Sequence, residues 1–393
     1  MTFAIERTGA ILSVDLDAVV SNWRALAAIS SPAQCAAVVK ADAYGLGAME
    51  ISQALETAGC RNFFVAHLEE GMAIRRVLAT DTRIFVLNGT PWGTHDDFVT
   101  AALVPVVNTR KELSQWSRHA LAIGKVLPVA VHIDSGMTRL GFTDRDVELA
   151  ACQRSFSQVS VELILSHLAC ADQPNHPMNE RQRIQFDQLR KRLPMAGASI
   201  ANSSGIFLGS PFHFDVVRAG AALFGINPTP NYPNPMRNVV CVRARVIQVS
   251  DVEPHTGVGY GHIVHTKRWS RLATISLGYA DGWPRNAAGT AIFRGQKMPF
   301  VGRVSMDSIV VDVTDCPEPP GRDDFVEIIG CQQTLDDVGA SAGTIGYEIL
   351  TRLGSRFSRC YIPVGAKTSD GSLGTADHRA EVFTAQKTAP VER

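Results

Sequence analysis

Val38-Val39-Lys40-Ala41-Asp42-Ala43-Tyr44-Gly45 is the stretch around which the whole chain is read. The apolar run Ala36–Val39 reads as a buried strand that delivers Lys40 to its carboxyl end. Asp42 and Gly45 then turn the chain before a helical stretch that begins near Met49. A lysine is costly to bury unless it is paired, neutral or chemically committed. The committed form is an imine to an aldehyde cofactor, because a desolvated lysine loses its proton more easily and becomes a nucleophile. Taken alone, these eight residues favour a surface lysine with its charge in water.

Further apolar runs give Lys40 its setting. Eight recur: Ala36–Val39, Phe63–Ala66, Ile84–Leu87, Leu103–Val107, Val129–Ile133, Leu163–Ser166, Ser199–Asn202 and Phe214–Val217. Each is followed by a polar turn, and between them Met49–Ala58, Glu69–Leu78, Lys111–Ile123 and Arg181–Leu193 place apolar residues at threes and fours, as helices do. A strand over Ala10–Asp15 and a helix over Leu16–Ile29 precede the series. Eight strands alternating with helices predict an α/β fold, a parallel (β/α)8 TIM-like barrel over residues 1–235. The alternative is an open doubly wound sheet, but no G-x-G-x-x-G follows the first strand.

Near Gly225 the texture changes. Asn227-Pro228-Thr229-Pro230-Asn231-Tyr232-Pro233-Asn234-Pro235 reads as a linker. Beyond it β-branched runs dominate: Val239–Val249, Arg271–Leu277, Thr290–Phe293, Ser308–Val313 and Phe325–Ile329, with one helix from Thr344 to Leu353. Residues 236–367 therefore read as a mostly antiparallel β domain, with which residues 10–15 are expected to pair. Residues 368–393 are polar, lack periodicity and read as a mobile tail.

The chain has 393 residues, 45% of them hydrophobic and 19% charged, with a formal net charge of +0. That balance describes a folded protein with no bulk electrostatic reason to bind nucleic acid or an anionic membrane. The eight cysteines form no C-x-x-C, so zinc and redox motifs are not expected, and no metal site is assigned. Met1–Gly9 lacks the basic start and apolar run of a signal peptide, and no apolar stretch reaches membrane-spanning length, so a cytoplasmic protein is expected.

In a parallel barrel, functional residues lie at the carboxyl ends of the strands. Lys40 ends the first strand. His132, Asp134 and Arg139 follow the fifth, and His167 ends the sixth. Asn202, Ser203 and Ser204 end the seventh, and Arg218, followed by Gly220, ends the eighth. Small and polar residues after the last two strands are where such barrels hold a phosphate. A phosphate at one end and an imine-forming lysine at the other suggest pyridoxal phosphate, whose ring acts as the electron sink.

The motifs V-V-K-A-D-A-Y-G (38–45), D-S-G-M-T-R-L-G-F (134–142), S-H-L-A-C-A-D (166–172), A-N-S-S-G (201–205), V-R-A-G (217–220), G-Y-G (259–261), L-G-Y-A-D-G (277–282), G-R-V-S-M-D (302–307) and G-Y-E (346–348) follow in order. In that set the sequence resembles the bacterial alanine racemases. The resemblance implies pyridoxal 5′-phosphate bound to Lys40 and reversible interconversion of L- and D-alanine. It implies two catalytic bases, Lys40 and Tyr260, serving opposite faces of the substrate. A free phenol, with a pKa of about 10, is a poor base at neutral pH, so positive charge or hydrogen bonding has to assist it. The family pattern supplies His167, with Arg218 behind it.

The same resemblance places Arg218 at the pyridine nitrogen, as a donor that does not yield its proton. It places Tyr44, Ser203, Gly220, Ala221 and Tyr347 at the phosphate. Arg139 would steer the substrate carboxylate and contact the cofactor's phenolic oxygen, the Met306 N–H would bind the same carboxylate, and Tyr279 and Asp307 would support the entrance. Because Tyr260 and Met306 fall in the β domain, the family pattern implies a homodimer with composite sites.

One position departs from the pattern. Many family members have a carbamylated lysine two residues before the aspartate of D-S-G-M, and its negative charge positions the arginine. Here that residue is His132, and a neutral histidine cannot supply the charge. Arg139 is then held by another acid or a bound anion, or is less constrained.

Broader-specificity or serine racemases share the pattern. A decarboxylase of the same architecture needs an acid where Arg218 stands. A pyridoxal phosphate carrier built on the barrel alone would lack G-Y-G and V-S-M-D.

Overall fold

A computed structural model describes residues 5–152 and 156–365. The chain divides into two compact units. One is Ala18–Val239. The other joins the segment before Ala18 to the described chain after Val239. The boundary falls beyond the proline-rich stretch, which stays with the first unit, and the expected mobile tail lies outside the described residues.

The opening strand, β1 (Ala10–Asp15), belongs to the second unit. The first unit contains β2 (Gln34–Val38), β3 (Asn62–Val65), β4 (Arg83–Val86), β5 (Val104–Val107), β6 (Leu127–His132), β7 (Val159–Leu165), β8 (Gly197–Ser199) and β9 (Val216–Ala219). All eight are parallel, in the order β8-β7-β6-β5-β4-β3-β2-β9. Between β8 and β9 the ladder is replaced by two bonds, Asp215 N–H to the Ala198 carbonyl (3.0 Å) and Arg218 N–H to the Ala201 carbonyl (2.9 Å). They complete a nearly closed barrel, as the eight apolar runs predict.

Its interior is filled, not hollow. Ala36, Phe64, Phe85, Val104, Val106, Ala130, Leu163, Leu165 and Val216 form one buried cluster, with Val38 and Leu87 packed on it. The Phe64 and Phe85 rings stack at 4.7 Å. Successive strand residues alternate faces, so inward residues are spaced by two. His132 in β6 and Arg218 in β9 continue the inward series 130 and 216. Lys40, Asn108 and His167 follow within two residues of the ends of β2, β5 and β7, at the same carboxyl end of the barrel.

In the second unit, β10 (Val240–Val252), β11 (Gly257–Val258), β12 (Val264–His265), β13 (Ser270–Ile275), β14 (Thr290–Phe293), β15 (Gln296–Val301), β16 (Ile309–Asp312), β17 (Phe325–Ile329) and β18 (Ser358–Ile362) join β1. The long strand β10 pairs with β1, β13 and β17, so β10-β13-β16-β15-β14-β17 closes on itself. Register shifts at Val242/Arg243 and Val246/Gln248 bend β10 enough to serve both edges. Every pair in this unit is antiparallel except β1 with β18. No helix among the described residues is long and apolar enough to cross a membrane.

Candidate active site

The segment after β2 is not a simple turn. Ala41, Asp42, Ala43 and Tyr44 all have positive φ, between 51° and 59°, forming a left-handed helical turn. L-residues pay roughly 1–2 kcal/mol each in that conformation, so other contacts must hold it. Backbone bonds contribute, Ala43 N–H to the Val39 carbonyl (2.8 Å) and Gly47 N–H to the Asp42 carbonyl (2.9 Å), and the Glu70 carboxylate accepts the turn's first amide, Ala41 N–H (2.7 Å), together with the Ala66 N–H (2.7 Å) and His67 N–H (3.1 Å). Asp42 accepts the Ala48 N–H (2.7 Å) at the start of helix Ala48–Thr57. The turn buries Tyr44, whose ring lies 5.0 Å from that of Phe224.

Lys40 stands at the head of this turn, half-buried. Desolvation holds its amine below the usual lysine range; Arg139 and Arg218 add to the effect and Glu70 opposes it. A lowered amine pKa enlarges the neutral fraction near pH 7, which is what a nucleophile or proton acceptor needs.

Arg218 is 4% exposed and has no carboxylate partner among the described residues. It donates to the Ser199 hydroxyl (2.6 Å), the Ser166 carbonyl (2.5 Å) and His167 Nδ1 (3.3 Å). Burial brings its pKa down to about 10, so it stays charged at neutral pH. Because arginine only donates, His167 Nδ1 accepts and the proton of the neutral ring sits on Nε2. Burial, followed by the charges of Arg218, Arg139 and Lys40, holds His167 well below the usual histidine range. Ser135 extends the chain of contacts, its hydroxyl 2.7 Å from that of Ser166.

Past β8 and β9, the Ser203 hydroxyl accepts the N–H groups of Gly220 (2.9 Å) and Ala222 (3.2 Å). Gly220 leaves its side open to Tyr44: a Cβ there would stand 2.7 Å from the Tyr44 hydroxyl. Ser203, Tyr44, Gly220 and Ala221 thus converge on one patch of hydroxyl and amide groups. Arg139 is exposed on a loop pinned at both ends, with Phe142 N–H bonded to the His132 carbonyl (2.7 Å) and Asp134 N–H to the Phe142 carbonyl (3.0 Å). Asp134 Oδ1 accepts three successive amides, of Gly136, Met137 and Thr138, at 2.9 to 3.0 Å.

The second unit gathers its own set. Tyr260 follows β11 in the turn that leads to β12, between Gly259 and Gly261, and is 63% exposed. That turn rests on the G-R-V-S-M-D segment, since a Cβ at Gly302 would meet the Val258 carbonyl at 2.8 Å. The Tyr279 and Ala280 amides bond the Ser305 and Met306 carbonyls at 3.1 and 2.9 Å. Asp307 holds Arg356 (2.7 Å), which also reaches Asp281 (3.2 Å). Met306 and Tyr279 are exposed. Tyr347 lies on helix Gly346–Arg352, partly buried.

Comparison with known proteins fits this geometry. The description "Alanine racemase, N-terminal domain" matches residues 14–228 and "Alanine racemase, C-terminal domain" matches residues 239–361. The chain belongs to the alanine racemase family. A catabolic alanine racemase of Mesorhizobium japonicum is 50% identical over 90% of this chain and 93% of its own length. The alanine racemase of Rhodospirillum rubrum is 44% identical over 91% and 96%. A solved alanine racemase from Bartonella henselae, with covalently bound pyridoxal phosphate, superposes with a TM-score of 0.87 at 42% identity, covering 90% of this chain and all (100%) of that one. The biosynthetic alanine racemase of Pseudomonas aeruginosa gives 0.82 at 34% identity, over 91% and 100%.

Within this alanine racemase fold, sequence reasoning named Lys40, Arg139, His167, Ser203 and Arg218 but missed the residues that hold them. Ser135 and Ser166 lie in quoted motifs with no role assigned to them, and Glu70, Asn108 and Ser199 lie in none. Position is the signal that finds Asn108, the first residue after β5 at the barrel's carboxyl end.

Proposed function

We propose that the chain interconverts L- and D-alanine with pyridoxal 5′-phosphate, using Lys40 and the Tyr260 of a second copy as proton carriers on opposite faces of the substrate. The observation that carries the reading is a cluster of cationic residues at the barrel's carboxyl end, with Arg218 buried and 3.3 Å from His167 Nδ1. Lys40, Arg139 and Arg218 converge there electrostatically, with Glu70 alone opposing them at Lys40. Such a site suits a ligand bearing phosphate and carboxylate groups. The donors fit the cofactor. The Lys40 amine would take its aldehyde, and the Ser203 and Tyr44 hydroxyls, Tyr347 and the Ala221 amide its phosphate, beside Gly220, whose own N–H is held by Ser203. Arg218 would face its ring nitrogen. When bound, the cofactor would supply an electron sink for the pair left at Cα by proton removal.

Each residue then has a defined task. The lowered Lys40 amine exchanges a proton at Cα on one side. His167, with its proton fixed on Nε2, donates toward the phenolic oxygen of Tyr260, which exchanges a proton on the other side. Arg139 and the Met306 N–H, which donates to no partner among the described residues, orient the substrate carboxylate. Arg218 donates a hydrogen bond without surrendering its proton. That keeps the sink weak and favours proton return over decarboxylation or amino-group transfer.

Assignments from both units imply a homodimer with composite sites, in the cytoplasm where alanine is available. The catabolic name of the Mesorhizobium relative supports D-alanine breakdown as the role, with D-alanine supply for peptidoglycan as the alternative.

Purified protein given a panel of L-amino acids, read by chiral chromatography, should form D-alanine fastest. Faster turnover of serine would replace the reading with a serine or broader racemase. Bound colour without turnover would reduce the protein to a carrier. Gly220→Ala should displace the Tyr44 hydroxyl and raise the pyridoxal phosphate Kd about 10-fold, the cost of one charge-assisted hydrogen bond. Equilibrium dialysis measures it, and an unchanged Kd removes Gly220 from the cradle.

A further inference from the structure

The peptide that carries the Met306 N–H is fixed by neighbours that all lie in the second unit. Tyr279 and Ala280 present consecutive amides to consecutive carbonyls, those of Ser305 (3.1 Å) and Met306 (2.9 Å). A trans peptide is planar, and its C=O and N–H point in opposite directions. Because the Ser305 carbonyl turns toward the Tyr279 amide, the Met306 N–H of the same peptide points away from it. The Ser305 N–H bonds the Ser308 carbonyl (3.0 Å), so Met306 and Asp307 form the tip of a closed turn. Only a glycine lets the two segments come this close: a Cβ at Gly278 would stand 2.2 Å from the Met306 carbonyl oxygen.

A carboxylate and a guanidinium lock the two segments together. Asp281 is 5% exposed; its Oδ2 accepts the Gly278 N–H (2.8 Å) and its Oδ1 takes Arg356 Nε (3.2 Å). The same guanidinium donates from Nη1 to Asp307 Oδ1 (2.7 Å). The Gly354 N–H bonds the Asp281 carbonyl (3.1 Å), which ties the chain before Arg356 to the same place. Arg356 thus spans the residue after Ala280 and the residue after Met306, next to the two amide–carbonyl pairs. Burial lifts the Asp281 carboxyl above its usual range; the Gly278 amide and Arg356 oppose that lift, and the charge of Asp307 adds to it. Without Arg356 the two carboxylates would repel each other across the joint.

We infer that Arg356 is a positioning residue for the substrate: by clamping Asp281 to Asp307 it holds the Ser305–Met306 peptide so that the Met306 N–H faces the substrate carboxylate. The inference rests on the reading of that N–H as a carboxylate ligand. A guanidinium suits the task because its rigid planar fork fixes two acceptors in set directions, which an ammonium does not. The Arg356 side chain is half exposed, so its ion pairs add little to stability in water and act chiefly on geometry.

A cycle on the holoenzyme tests both levels. Replacing Met306 by its α-hydroxy analogue turns the Ser305–Met306 amide into an ester and deletes that N–H. It should raise the KM for L-alanine roughly 10-fold, the worth of one hydrogen bond to a charged group. The inhibition constant of acetate, a bare carboxylate probe, should rise by a similar factor. Arg356→Met keeps a side chain of similar length without the fork, and should raise both constants as much while kcat and the visible spectrum of the bound cofactor stay unchanged. In the ester background it should add nothing. If the ester leaves both constants unchanged, the reading of the Met306 N–H fails, and the inference with it. If the ester raises both but Arg356→Met leaves them unchanged, or adds its full factor in the ester background, Arg356 does not act through that amide and the inference alone is overturned. Should Arg356→Met lose the cofactor, Arg356→Lys takes its place. Its ammonium reaches one carboxylate instead of two, and both constants should rise about 3-fold, half of the same free energy; unchanged constants there overturn the inference equally.

Discussion

Tyr260→Phe is expected to suppress racemisation in both directions by about 100-fold to 10,000-fold, the usual worth of a positioned acid or base. The substitution removes one oxygen from a side chain 63% exposed in the turn between β11 and β12, so folding should be untouched. Cofactor binding should survive as well, because no proposed cofactor ligand changes. Inversion needs proton removal on one side of Cα and return on the other, and Lys40 alone serves only one of them. The variant should therefore still exchange the α-proton of one alanine enantiomer with deuterated water while failing to invert it. Proton NMR and chiral chromatography on the same sample separate the two outcomes. Full racemase activity in Tyr260→Phe would remove the phenol from the mechanism.

Lys40→Ala should lose more. The amine is both the proposed attachment point and the proposed second base, so the visible absorbance of bound cofactor and the catalysis should vanish together, with activity down at least about 1,000-fold. An unchanged spectrum would contradict the anchor. The two inactive variants also test the composite site. If Lys40 and Tyr260 of one site come from different copies, a heterodimer of the two variants carries one doubly altered site and one intact site. Random re-association yields about half heterodimers, so mixing and refolding should restore roughly a quarter of wild-type activity. No recovery on mixing would place both groups on one chain.

The barrel is legible because its strands are buried on both faces and so read as unbroken apolar runs. Phe63–Ala66 and Ile84–Leu87 each fall within one residue of β3 and β4. The helix read from Arg181 begins at Pro177, since proline fits a first turn and His176 accepts the Met178 N–H there. Other elements hide for physical reasons. β15 carries Pro299 and two exposed polar residues, Gln296 and Lys297, so its sequence reads as an edge although it pairs with β14 and β16 on both sides. Helix Leu335–Ser341 has only seven residues with Gly339 inside, and its evidence is a capping box, Thr334 with Asp337, not a periodicity. β18 reads Ser-Arg-Cys-Tyr-Ile and is a strand because β1 pairs with it in parallel.

For the site, residues that act on a ligand are visible as motifs, whereas those that hold them act through geometry. Asn108 matters because its Oδ1 lies 2.8 Å from His132 Nδ1, and Ser199 because it lies 2.6 Å from Arg218. Neither fact is written in residue type. The left-handed turn after Lys40 is likewise silent in sequence, since only Gly45 of V-K-A-D-A-Y-G advertises a positive φ.

That turn has a thermodynamic consequence. Four consecutive L-residues held against their preference store about 4–8 kcal/mol, released whenever the segment relaxes. The lysine at its head is thus mounted on a spring tied down by Glu70 at its first amide and by backbone bonds beyond it. Ligand attached at Lys40 would be coupled to the latched form, so occupancy and local order should rise and fall together. The amides of residues 41–44, followed by hydrogen exchange with and without cofactor, would register that coupling before any global melting does.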